Sequence, residues 1–234
     1  MTFLGAPAVV DSTTVAPSGG CFPGSSRVRT PDGRVLPLSR VAVGDRVLAF
    51  DDSAGTIRHD DVIAFLHRTE TGTGNTTFVR ISVVGGAAVT LTRDHLMYVS
   101  STASDNDVRP RFAGKVVRGD YVFCADGDSV AMCEVAGVDI VYFDGGLYAP
   151  LTSSGNIIID DVITSCYAEV TSHGLAHLAM APIRVVYSFA RYFGLQRTAT
   201  SIGTLHSGSG IHPYASLLRT VADYFLPEVY DSEF

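Results

Sequence analysis

The feature that most constrains the fold of this chain is an internal repeat. The matching segments, in chain order, are 38–47 with 113–122, 62–66 with 139–143, and 91–98 with 151–158. In the first pair, Gly44-Asp45 aligns with Gly119-Asp120. Three matches in the same order are harder to attribute to chance than any one of them. We therefore expect two copies of one structural unit.

The repeated units are built from short apolar runs that favour strands. These runs include 46–50, 62–66, 78–84, 88–92, 121–124 and 138–143. Turn signals such as Pro31-Asp32-Gly33, Gly85-Gly86 and Gly145-Gly146 separate them. Many short strands at this spacing predict an all-β domain, and the repeat predicts that its two halves are related by a pseudo-twofold axis.

The two ends of the chain differ in character from this β region. Residues 1–20 are rich in Ala, Ser, Thr, Pro and Gly, which predicts a flexible lead-in. Residues 173–193 carry apolar side chains at helical spacing, and Pro182 should either kink this helix or begin a second one. A loop over 194–210 and a short amphipathic helix over 215–226 should follow. We thus expect a lead-in at 1–20, a β domain at 21–170 and a helical appendage at 171–234.

Composition excludes some classes of function. The 17 Lys and Arg residues form no basic block and the formal net charge is −7, so nucleic acid is not an expected partner. No apolar run approaches the roughly 20 residues that span a bilayer. Residues 1–10 contain no Lys or Arg and make a poor signal peptide.

The chain has four cysteines: Cys21, Cys124, Cys133 and Cys166. No pair has CxxC spacing, so neither a metal site nor a cofactor is expected. Four cysteines are too few for a disulfide scaffold, although one bridge remains open. Cys124 and Cys133 lie among apolar residues, and we interpret both as core residues.

The repeat singles out one histidine, because corresponding positions should diverge where one copy has a task of its own. Thr92 aligns with Thr152, whereas His95 aligns with Gly155. A histidine beside a strand end is commonly structural or merely exposed. Together with a Gly-Cys pair upstream, the Thr-x-x-His motif favours a catalytic role instead.

Cys21 follows Gly19-Gly20 at the start of the β region. Its thiol can attack the Gly20 carbonyl and exchange the amide for a thioester, provided that the fold activates the bond and the departing amine is protonated. His95 can serve as the acid or base near neutral pH. The Thr92 hydroxyl can hydrogen-bond the scissile unit or the developing oxyanion. Gly20 leaves the carbonyl sterically open.

Several segments resemble the autoprocessing domain of hedgehog proteins, and the Cys and Thr-x-x-His portions also resemble intein-type Hint domains. These segments are 20–24, 43–48, 92–96, 149–152, 165–168, 210–215 and 223–227. The resemblance implies a Hint fold with a sterol-recognition region at 171–234. It implies that Cys21 attacks Gly20 with help from Thr92 and His95. Cholesterol, as a co-substrate, then takes the upstream polypeptide as an ester.

The resemblance also implies roles for two further residues. His67 stands where the family usually has an aspartate that acts as general base for the sterol hydroxyl; the alternative is that His67 is exposed and Asp60 or Asp61 does this work. Cys166 occupies the position of a second-step thiol that can bridge to the nucleophile. Its alternative is a buried structural cysteine.

The expected partners follow from the same resemblance: a sterol, an upstream polypeptide in cis, and a membrane through the C-terminal helices, which could equally pack on the β domain. It also implies the secretory pathway or extracellular space as the location. Two other outcomes stay open. Water could resolve the thioester, which would make the chain a self-cleaving peptidase, or the domain could be a non-catalytic remnant. Inteins finish with a C-terminal Asn preceded by His. No such ending closes this domain, which disfavours splicing.

Overall fold

The computed structural model describes residues 20–70, 76–143, 145–168, 173–195, 210–214 and 216–217. The strands are β1 (Phe22–Pro23), β2 (Arg27–Arg29), β3 (Val35–Pro37), β4 (Arg46–Asp51), β5 (Thr56–Thr69), β6 (Thr76–Val83), β7 (Ala88–Leu91), β8 (His95–Ser100), β9 (Arg109–Phe112), β10 (Tyr121–Asp126), β11 (Ser129–Phe143), β12 (Leu147–Thr152), β13 (Asn156–Ile159), β14 (Val162–Ala168) and β15 (Gly210–Ile211). The helices are α1 (His173–Ala179) and α2 (Ala181–Tyr192), with 3-10 turns at Leu38–Arg40, Asp105–Asp107 and Ala113–Lys115.

The strands form two large antiparallel sheets that exchange strands between the repeat copies. The long hairpin β4–β5 of the first copy matches the hairpin β10–β11 of the second. β12, from the second copy, pairs with β5 of the first, while β6, from the first copy, pairs with β11 of the second. The expected all-β, pseudo-twofold fold is confirmed.

Backbone hydrogen bonds define the twofold correspondence. Val62 N–H donates to the Asp45 carbonyl at 2.8 Å, and Val135 N–H donates to the Asp120 carbonyl at 2.7 Å. Val62 therefore corresponds to Val135, so the sequence alignment of Val62 with Asp139 is wrong by four residues. Uniformly apolar strands allow such a slip, and the β-bulge directly after Val135 interrupts the register.

The third repeat match is confirmed by two equivalent turns. His95 N–H donates to the Thr92 carbonyl, and Gly155 N–H donates to the Thr152 carbonyl, both at 3.2 Å. The difference between the two copies, histidine against glycine, therefore falls at one structural position.

The main apolar core draws on both large sheets and on one face of α2. From this helix it takes Ile183, Tyr187 and Ala190. Pro182 lies in the first turn of α2, so it begins a second helix rather than kinking one long helix. None of the described helices is both long and apolar enough to cross a membrane. The predicted lead-in at 1–20, apart from Gly20, and most of the predicted loop and last helix lie outside the described residues.

The interpretation as a core residue is confirmed for Cys124, and Cys133 is partly buried and packs against the same core. The two residues also form the one bridge that the sequence left open. Cys124 on β10 and Cys133 on β11 form a disulfide, with their Cα atoms 6.1 Å apart. Val122 is the residue directly opposite Cys133, so the bridge runs diagonally across the hairpin. The apolar neighbours of the two cysteines give no sign of this pairing, because only the register of the hairpin brings the two cysteines together.

Candidate active site

The Gly20–Cys21 bond directly precedes β1, which is an edge strand of the sheet that contains β12 and β5. β1 pairs through Phe22 with Tyr148 of β12, which draws the preceding residues into the fold. Gly20 and Cys21 are both buried, and the Cys21 side chain is 0% exposed. A Cβ placed on Gly20 would overlap that of Ala168 and lie 2.7 Å from Nδ1 of His95. Packing, as well as an open carbonyl, therefore requires glycine here.

Thr92 holds Cys21 on both sides of its α-carbon. The Cys21 amide N–H donates to Oγ1 of Thr92 at 2.9 Å, and the Thr92 N–H donates to the Cys21 carbonyl at 2.8 Å. The threonine hydroxyl thus contacts the nitrogen of the Gly20–Cys21 bond. This contact fixes the orientation of that peptide group.

His95 is fully buried beside the Gly20–Cys21 bond. Its Nε2 lies 2.8 Å from the Ser165 carbonyl oxygen, which can only accept, so Nε2 carries the proton. Nδ1 faces Gly20 and has no hydrogen bond of ordinary geometry. Burial lowers the pKa of His95 to about 4, against the opposite effects of the Ser165 and Gly20 backbones. The ring is therefore neutral at rest.

His67 contacts the thiol itself. Its Nδ1 lies 3.2 Å from Sγ of Cys21, and burial lowers the pKa of the imidazole. On β5 it lies opposite Ala149 of β12 and Ile211 of β15. The sequence placed His67 near the acceptor alcohol; the direct contact with the nucleophile could not be anticipated, because it depends on the register of β5 against β12.

The aspartates considered as alternatives to His67 lie near the middle of β5. Asp60 accepts a hydrogen bond from the Ser154 N–H at 2.6 Å. Asp61 forms ion pairs with Arg46 and Arg191. They precede His67 by six or seven residues, about 20 Å along a strand. Their side chains are therefore held away from Cys21.

Cys166 is buried on β14, and its thiol lies 3.5 Å from Oγ1 of Thr152. Burial raises the pKa of this thiol to about 12. Thr152 is the counterpart of Thr92, so Cys166 contacts the second copy of the turn. Cys21 and Cys166 are not disulfide-bonded to each other. The thiol form suits the buried structural interpretation, and the second-step role stays a prediction.

The surroundings of the Cys21 thiol are apolar. Cys21 belongs to a small cluster separate from the main core. The other members are Phe78, Leu147 and Ala149, with Leu66, Val141 and Phe143 packed against them at partial exposure. These buried apolar side chains keep bulk water away from the thiol.

Comparison with known proteins agrees with this fold and site. The Hint module family model matches residues 9–227. The chain is 34% identical over 220 residues to the Sonic hedgehog protein of Danio rerio, covering 92% of this chain and 52% of that protein. It is 34% identical over 218 residues to Protein hedgehog of Drosophila virilis, covering 89% of this chain and 44% of that protein. The chain thus spans about half the length of these curated relatives.

Solved inteins share the fold. The KlbA intein precursor of Methanococcus jannaschii superimposes with a TM-score of 0.54 at 16% identity, covering 64% of this chain and 92% of the intein. An intein from a hyperthermophile gives 0.52 at 15% identity, with 63% and 99% covered.

The fold is thus that of a Hint-type β domain, the class that the solved inteins share. Within that class, the chain belongs to the Hint module family, and its sequence is similar to that of hedgehog proteins.

Proposed function

We propose that this chain cleaves itself once, in cis, at the Gly20–Cys21 bond and transfers the upstream polypeptide to a sterol. The observation that carries the proposal is the arrangement around the bond. The thiol of Cys21 is buried beside Gly20, Oγ1 of Thr92 holds the scissile nitrogen, and Nδ1 of His95 faces Gly20.

In the first step, Sγ of Cys21 attacks the Gly20 carbonyl carbon, the C–N bond breaks, and a thioester forms. Negative charge builds on the Gly20 oxygen next to His95. Such charge favours the protonated imidazole, which can then deliver its proton to the departing nitrogen. Thr92 keeps that nitrogen in line through its hydroxyl. A neutral resting His95 suits this sequence, because it becomes charged only when the oxyanion appears.

In the second step, an alcohol attacks the thioester, and the upstream polypeptide leaves as an ester. The buried apolar surroundings of Cys21 exclude bulk water, which supports an acceptor other than water. In this proposal His67 accepts the hydroxyl proton. The resemblance to hedgehog proteins makes cholesterol the acceptor that we favour, with its 3β-hydroxyl as the attacking group. The helical appendage would hold the sterol, no cofactor or metal would take part, and the reaction would belong to the secretory pathway.

A reporter protein fused ahead of Met1 tests the proposal. Incubation with hydroxylamine, which cleaves thioesters without reducing the Cys124–Cys133 disulfide, should release the reporter. Cholesterol should release it with an added sterol mass. Cys21→Ala should abolish both reactions, whereas Cys133→Ser in the hairpin should retain them.

The products separate the competing functions. A free carboxylic acid formed at the same rate with and without cholesterol would replace sterol transfer by hydrolysis. Release that persists in Cys21→Ala would refute the thioester, and the absence of any release from the folded wild-type fusion would identify a non-catalytic domain.

A further inference from the structure

The contact between His67 and Cys21 exists before any acceptor is present. Nδ1 of His67 lies 3.2 Å from Sγ, within the hydrogen-bond range for sulfur. A base reserved for the second step would need to reach an alcohol, not the thiol. This geometry is instead that of a nucleophile paired with its base.

The electrostatic surroundings keep His67 able to accept a proton. Burial lowers the pKa of its imidazole from the ordinary 6.5, so the ring is neutral at neutral pH. The titratable groups nearest to it are Cys21 directly before β1, Tyr148 on β12, His212 directly after β15, Arg68 on β5 and Glu70 directly after β5. With the ring proton on Nε2, the Nδ1 lone pair points to the thiol.

The other histidine cannot take this task easily. His95 contacts Gly20 and the ring of Phe22, whose centroid lies 4.4 Å from its own. Its Nδ1 is directed at the residue that supplies the carbonyl. The two imidazoles therefore contact different groups: His67 contacts the sulfur of Cys21, and His95 lies against Gly20.

We propose, building on the function proposed above, that His67 is the general base for the Cys21 thiol in the first step, before it serves the acceptor. Sγ loses its proton to Nδ1 of His67 as the Sγ–C bond to Gly20 forms. As the C–N bond breaks, the Cys21 nitrogen gains a proton from protonated His95. His95 takes its proton from solvent as the oxyanion forms, and His67 returns its proton to solvent afterwards, so the step is balanced. His67 is then neutral again when the alcohol arrives.

His67→Asn tests this assignment in the reporter fusion. The asparagine oxygen can still accept a hydrogen bond from the thiol, but it cannot take the proton. At saturating hydroxylamine, release reports thioester formation alone, and we expect it to slow about a hundredfold at pH 6.5, as typical for loss of a general base. His59→Asn, on the same strand, is the matched control and should keep the wild-type rate.

The pH dependence distinguishes a base from a structural residue. The ratio of wild-type to His67→Asn rates should shrink as pH rises toward about 8.5, the ordinary thiol pKa, because the thiolate then forms without help. Added imidazole should partly rescue His67→Gly, which keeps the test informative if His67→Asn does not fold. A constant ratio across pH, or wild-type hydroxylamine release in His67→Asn with only the sterol reaction lost, would overturn the proposal. Failure of the wild-type fusion to cleave would instead refute the proposed function.

Discussion

At the scale of single residues, the main device is a histidine kept neutral by burial. His95 donates through Nε2 to Ser165 and leaves Nδ1 directed at Gly20 without a hydrogen bond. An unsatisfied buried nitrogen costs folding free energy, on the order of 1–3 kcal/mol. In the proposed mechanism, this cost leaves Nδ1 available to carry a proton to the departing nitrogen.

This burial predicts a pH-dependent stability. His95 in the unfolded chain takes up a proton below about pH 6.5, whereas in the folded protein it does so only near its pKa of about 4. Stability should therefore fall as pH drops from 6.5 to 4, by up to about 1.4 kcal/mol per pH unit from this residue. Urea unfolding of a Cys21→Ala background, which cannot cleave, measures the slope. His95→Asn should flatten it; an unchanged slope would contradict the neutral assignment.

The sequence alone predicts part of this site. Cys21, Thr92 and His95 can be identified from the sequence, because the first two belong to local motifs and the comparison of the two repeat copies singles out the third. The atoms that they contact cannot be identified in this way. The contacts of Cys21 with His67 and of His95 with Ser165 join residues 46 and 70 positions apart, and only strand register brings them together.

At the scale of elements, the hairpin β10–β11 differs from its counterpart β4–β5. The second-copy hairpin carries the Cys124–Cys133 disulfide, whereas the first-copy hairpin has Arg58 on β5 paired with Asp51 on β4. The apolar alternation that reveals both hairpins gives no sign of this difference. It also fails to show the exchange of β6 and β12, since long-range pairing follows from closure of the whole sheet rather than from local pattern.

Loss of this disulfide should lower stability without removing chemistry. The bridge closes a loop with a sequence separation of nine residues. Such a loop contributes about 2–3 kcal/mol through the unfolded chain. A Cys124→Ser, Cys133→Ser double variant should thus unfold at lower temperature in calorimetry, yet release the reporter in hydroxylamine at nearly the wild-type rate. A lost reaction in a folded double variant would show that the hairpin supports the site directly.

At the scale of the whole molecule, the turn at 152–155, which corresponds to the Thr92–His95 turn of the first copy, is the place where the helices pack on the β domain. Nδ1 of His177 on α1 lies 2.8 Å from the hydroxyl of Tyr167 and 3.0 Å from a guanidinium nitrogen of Arg184 on α2. A Cβ on Gly155 would lie 2.5 Å from that His177 nitrogen. The glycine that stands in the position of His95 thus makes room for the appendage.

Gly155→Ala should separate the two steps of the proposed reaction. The added methyl meets His177 and Tyr167, and the backbone φ of +80° adds strain that costs about 1–2 kcal/mol for an L-residue. Sterol-dependent release should fall more than hydroxylamine release, because only the sterol reaction needs the docked helices. Gly127→Ala is a matched control, with a positive φ of 62° and nothing within 4 Å of the added carbon. Equal losses in both reactions would contradict this division of labour.

The exchange of strands between the two copies has a consequence for timing. The reactive geometry needs Gly20 against Ala168, Cys21 against Thr92, and His95 against Ser165. Each of these contacts joins residues far apart in the sequence, so they exist only in the assembled fold. In the proposed reaction the fold is thus its own checkpoint: a nascent or misfolded chain should not cleave, and the upstream polypeptide should be released only from a completely folded molecule.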